Sequence, residues 1–224
     1  MNLYIILTVV VVLFVIVRRV RRFMAALVPP SRIHLELSKP SRKHADNVGA
    51  RGRELESRGF TRIGTYRADP IAGLLLTAFT HVEHSLCAIV YTHPMAGTFM
   101  DVVVKNEAGR SLTVTTAPIG KELDQREGHE KVFDKDMPVA TMIETAMQRR
   151  PPAPHVNWSA GNFVAKFEEA YAQEMGWRAG RGGVTRDEVR RVADATGRKY
   201  SEQDIHTATR KFQRQYAESR RDVR

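Results

Sequence analysis

The sequence predicts an α+β fold: an amino-terminal transmembrane helix, then an antiparallel sheet of about five strands flanked by helices, then a helical carboxyl-terminal part. Three observations predict it. Residues Leu3 to Val17 form an uncharged apolar run, residues 60 to 117 hold a series of short β-branched runs separated by turn residues, and the last seventy residues show helical spacing with start and stop signals. A chain of 224 residues with 42% hydrophobic and 27% charged side chains has a globular composition and enough length for a real core. The divisions read as an anchor with a juxtamembrane basic segment at 1–28, a linker at 29–40, an α+β domain at 41–150 and a helical region at 151–224.

Fourteen of the fifteen residues from Leu3 to Val17 are apolar or aromatic. As a helix the run spans about 23 Å, against a hydrocarbon core of about 30 Å. Arg18, Arg19, Arg21 and Arg22 follow at once, whereas a cleaved signal carries its positive charge before the apolar stretch. These arginines are read as a membrane interface, and the charge bias predicts a signal anchor with the amino terminus outside and a cytoplasmic domain. The implied location is the inner membrane of a bacterium, single-pass, with the lipid bilayer as a partner.

Pro29 to Pro40 reads as an extended linker. Ser41 resembles an N-cap, with Ala45, Val48, Gly52 and Leu55 at helical spacing and Gly59 as a stop. Five strands are expected at Phe60–Ala68, Leu74–Val82, Leu86–Tyr91, Thr98–Lys105 and Leu112–Ala117. The uniformly apolar third run suits a central strand, and the short connections favour antiparallel neighbours, since a parallel crossover needs a dozen or more residues. Gly120 to Lys131 is read as a surface loop. Asp136 is expected to cap a helix with Pro138 in its first turn and Val139, Met142, Ile143, Ala146 and Met147 on its packed face.

Beyond the proline-rich boundary at 149–154, Ser159 is a candidate N-cap, with Trp158 and Phe163 as a hydrophobic staple and Gly176 as the stop. Thr185-Arg186-Asp187-Glu188 is a capping box, and Ser201-Glu202-Gln203-Asp204 is an acidic variant of one. The two starts predict a helical hairpin. Its arginines and lysines, among them Arg190, Arg191, Arg198, Lys199, Arg210 and Arg214, would suit a DNA-reading helix-turn-helix, but interspersed acidic residues favour a solvated basic face.

The net charge of +10 is unevenly spread: residues 18–58 hold 11 basic and 4 acidic groups, whereas 59–150 hold 10 and 11. The single cysteine, Cys87, excludes an intrachain disulfide and reads as buried packing. His81, Glu83 and His84 lie close in sequence with His93 nearby; on a straight strand His81 and His84 would face opposite ways, so no metal site is assigned. The three histidines are kept as pocket candidates. No Gly-x-Ser-x-Gly, no phosphate-cradling Gly-Lys-Ser/Thr and no cofactor signature is present, so no catalytic residue is named and the chain leans away from an enzyme. Three functions are left to weigh. The first is a membrane-tethered cytoplasmic binding or scaffolding module with an unknown protein partner. The second is a small-ligand-binding domain or hydrolase with a pocket beside the sheet. The third is anionic lipid or nucleic-acid binding through the basic carboxyl-terminal helices, with nucleic acid the less favoured.

Overall fold

The computed structural model describes residues 30–94, 96–117, 120–195 and 200–219. Strand β1 (His34–Leu37) is followed by helix α1 (Arg42–Ser57) and five strands, β2 (Thr61–Asp69), β3 (Leu75–His81), β4 (Leu86–His93), β5 (Gly97–Lys105) and β6 (Ser111–Thr115). Strand β7 (His129–Phe133) and helix α2 (Val139–Gln148) come next, then α3 (Phe163–Gly180), α4 (Arg186–Ala195) and α5 (Glu202–Ser219). The strands form one sheet in sequence order, antiparallel throughout except for the parallel pair β6 and β7.

Helix α1 begins where Ser41 accepts the His44 backbone N–H at 3.2 Å. It ends at Gly59, whose φ of +85° only glycine adopts freely. Its inward face is His44, Val48, Gly52 and Leu55. Because side chains alternate across a strand, Phe79, Leu86, Ala88, Val90, Met100 and Val102 meet α1 and the Val139, Met142 and Ala146 face of α2 in one core. The opposite face of the sheet meets Trp158 and the Phe163 and Phe167 stripe of α3 in a second core. Helices thus cover both faces, which explains why β4 is buried along nearly its whole length.

Two attachments complete the fold. Strand β1 is held to α3, for Leu35 donates its N–H to Glu168 Oε1 at 2.6 Å and the Tyr171 hydroxyl donates to the Pro30 carbonyl at 2.9 Å. Helices α4 and α5 share only a small cluster around Val189, Ala193 and Ile205. They are pinned by Glu188, which is 0% exposed and ion-paired to Arg178 of α3 at 3.3 Å. Thr185 and Glu188 cap α4 reciprocally, and Ser201 and Asp204 do the same for α5, as their sequences predict.

Several expectations are corrected. The sheet has seven strands, not about five, and is mixed, not antiparallel. Strand β1 falls within the expected 29–40 linker: four residues between prolines, with Leu35 buried but Leu37 79% exposed, are too few to show a period. Strand β7 starts inside the expected surface loop, its composition charged because it is an edge, and residues 116–128 give the length its parallel crossover requires. Helix α2 starts after Pro138, and Asp136 does not cap it. Helix α3 starts after Asn162 and runs through Gly176 to Gly180, carrying the packed Arg178 in its last turn.

The reading of the chain as a single-pass inner-membrane protein, with signal anchor, outside amino terminus and cytoplasmic domain, is likewise corrected. Among the described residues no helix is long and apolar enough to cross a membrane. The longest, α3 and α5, carry charges along their length. The apolar run Leu3 to Val17 and its arginines Arg18, Arg19, Arg21 and Arg22 lie outside the described residues.

Candidate functional site

Cross-strand register builds a concave surface between β4–β7 and α3. On the α3 side, Cys87, Val103, Thr113 and Lys131 sit in one row across β4, β5, β6 and β7. Ile89, Asp101, Thr115 and Phe133 form the next row. Helix α3 spans these rows without filling the space, leaving a cavity of about 240 Å³ roofed by Phe167, Ala170, Tyr171 and Glu174 and bounded by Trp158. That volume equals about eight waters at about 30 Å³ each, enough for a small organic molecule.

Asp101 lies on the apolar floor. Burial raises its pKa above the ordinary carboxylate range, opposed by hydrogen bonds from Thr115 and Tyr91 and by the charge of Lys131. Burial also raises the Tyr91 hydroxyl well above its usual value, and Asp101 adds to this. The Cys87 thiol is pushed up first by burial and then by Asp101, making it an inert part of the floor, in keeping with its reading as packing. Lys131 and Glu174 face each other across the cavity at 3.7 Å.

At the β6 and β7 end, His129 Nδ1 is 2.8 Å from Ser111 Oγ, and Arg126 donates to His129 Nε2 at 2.6 Å. The same guanidinium nitrogen is also 3.3 Å from His129 Nδ1, so Arg126 and Ser111 together hold the ring in place. Burial and then the Arg126 charge lower the His129 pKa, which agrees with a neutral ring. A wider depression of about 500 Å³ shares Ser111, Arg126, His129 and Glu130 with the cavity and continues to Arg110 and Arg150.

Two buried donors of residues lining the cavity, Trp158 Nε1 and Arg126 Nε, have no hydrogen-bond partner among the described residues. Trp158 is only 6% exposed. A buried donor left unsatisfied costs about 1–3 kcal/mol, so both groups call for an acceptor.

The histidines expected to line a pocket do not line this one. His81 and His84 meet at the β3 and β4 hairpin tip, their rings stacked with centroids 4.3 Å apart. His93 lies at the far end of β4, where its Nδ1 accepts the Ala96 N–H at 3.2 Å. A turn replaces the straight strand on which His81 and His84 would diverge: Ser85 has φ +53°, and its hydroxyl donates to Asn157 Oδ1 at 2.7 Å. The donor atoms of His81, Glu83 and His84 consequently lie within 4.8 Å of one another.

On the α4 and α5 pair, Arg186 and Arg190 bond to Glu202, Arg191 to Asp124 and Arg214 to Glu218. Arg198 and Lys199 lie outside the described residues. Those four arginines are thus tied to carboxylates on the protein itself, which weakens the nucleic-acid reading of this face.

Sequence reasoning did not find the cavity. Its signal is the hydroxyl row Ser111, Thr113 and Thr115, which looks like a solvent face, together with Asp101 on the same side of β5 as Phe99 and Val103. The chain matches no family model, and no curated protein or solved structure is significantly similar to it.

Proposed function

We propose that the protein binds a small organic anion with an apolar body, such as an aromatic or short-chain carboxylate, in the cavity between β4–β7 and α3. The observation that supports this most directly is the pair of unpartnered buried donors, Trp158 Nε1 and Arg126 Nε, on a lining that is otherwise largely apolar. A ligand's acceptor oxygens answer those donors, while Ile89, Val103 and Phe167 take its hydrocarbon portion. Lys105, Lys131 and Arg126 offset Glu130 and Glu174 on the lining, and the adjoining depression adds Arg110 and Arg150. Asp101, kept toward its protonated form, can donate to a ligand oxygen where an ionised carboxylate would repel it.

The test uses the tryptophan indole N–H signals in a nitrogen–proton correlation spectrum. The chain has two tryptophans, and Trp177→Phe assigns the remaining signal to Trp158. Benzoate and hexanoate should shift that signal saturably, more strongly than benzyl alcohol and hexanol, with affinity falling as salt rises. A signal that ignores all four compounds, or follows the alcohols equally, would remove the basis for an anion.

A further inference from the structure

We infer that the β3–β4 hairpin tip is a binding site for one divalent first-row transition metal ion of the zinc class, ligated by His81, Glu83 and His84. These residues supply two imidazoles and one carboxylate, a donor set that zinc accepts at about 2.0–2.2 Å while leaving a coordination position open. Their ligand atoms already lie within 4.8 Å of one another. Tetrahedral ligation asks for separations of about 3.4 Å, so the atoms must close by an ångström or so. The exposed Glu83 and half-buried His84 have the freedom to supply that movement.

The third ligand does not need to move. His81 packs edge-on against Phe60 at 5.2 Å and face-on against His84 at 4.3 Å. Gly59 backs it so closely that a Cβ there would stand 2.9 Å from its Nε2. Its buried Nδ1 has no hydrogen-bond partner, so the ring's polar demand is not met within the protein. Ser85 fixes the turn by donating to Asn157, which sets His84 beside His81, and the His84 ring leaves the stack to aim its lone pair at the ion. Three ligands within four consecutive residues make a local site, distinct from the cavity under α3.

Calorimetric titration of the full chain, free of any histidine tag, with zinc chloride in slightly alkaline buffer tests the inference. One equivalent should bind. Both His84→Ala and Glu83→Gln alter surface side chains without disturbing the Phe60 contact, and each should weaken binding by at least about tenfold. Cobalt(II) should give a visible d–d absorption that His84→Ala abolishes. If wild type binds neither ion, or if His84→Ala and Glu83→Gln bind as tightly as wild type, the site is not at this hairpin. Circular dichroism matching wild type excludes misfolding as the cause of lost binding.

Discussion

Replacing Glu188 by alanine removes the group that joins three separate parts of the chain. One oxygen accepts the Asp124 N–H at 2.8 Å and Arg178 Nη1 at 3.3 Å, and the other accepts the Thr185 N–H at 2.7 Å. Each bond to a charged partner is worth about 1.5–3 kcal/mol, and breaking a buried pair on one side costs about 3–5 kcal/mol. Arg178 keeps some compensation from Glu174 at 3.0 Å and the Asp124 carbonyl at 3.1 Å, which places the loss near the lower figure, about 3 kcal/mol. The cluster around Val189, Ala193 and Ile205 is too small to hold α4 and α5 in place by itself. The loss should therefore appear as local opening, with α4 and α5 amides exchanging about a hundredfold faster while β3 and β4 are unchanged. Hydrogen exchange read by mass spectrometry resolves the two regions. Acceleration below about threefold, or acceleration spread evenly over the sheet, would refute the hub. The paired change Glu188→Leu with Arg178→Met should recover only part of the protection, since it leaves no buried guanidinium alone but still strands the Asp124 and Thr185 N–H groups.

Further outcomes follow from other buried groups. His44, 2% exposed, bonds to Thr92 Oγ1 at 2.6 Å and Thr77 Oγ1 at 2.8 Å, and burial followed by the Arg62 charge lowers its pKa. Its contribution is present above the unfolded imidazole value of about 6.5 and lost as pH falls through the lower folded value, so urea midpoints should drop on acidification less in His44→Gln than in wild type. Asp101 has the opposite sign: the protonated form's contribution is complete below the unfolded value of about 3.9 and is lost as pH rises through the folded value. Asp101→Asn should accordingly be more stable than wild type at neutral pH, with a flatter dependence of urea midpoint on pH. Gly59→Ala places a side chain at φ +85° and 2.9 Å from His81 Nε2, and thermal unfolding should show a loss of about 1–2 kcal/mol. Phe79→Ala in the α1-side core should cost about 3–5 kcal/mol in urea.

Local physics made part of this fold readable. Strands β2 to β6 announce themselves because β-branched and apolar runs stand between turn residues, and both capping boxes are four-residue signals that need no distant partner. Strand β7 is different: His129, Glu130 and Lys131 form a strand only because β6 offers an open edge to them. His44 is similar, an ordinary helix residue in sequence that becomes a buried junction once β3 and β4 bring Thr77 and Thr92 to its two nitrogens. The cavity is the extreme case, since Asp101, Trp158 and Arg126 converge from separate segments and no spacing rule links them. The histidine tip is hidden for a narrower reason: a straight strand parts His81 and His84 while a turn joins them, and the reversal at Ser85 that decides between the two has no spacing signal.

The bonds from Pro30 and Leu35 to Tyr171 and Glu168 connect the first described residues to the helix that roofs the cavity, more than 130 positions later. Tension applied to the backbone just ahead of Pro30 would reach Tyr171 within a few covalent steps, bypassing the rest of the sheet. Whatever grips that end of the polypeptide holds a mechanical lever on the roof, and a cut between Pro30 and Ser38 would disconnect it.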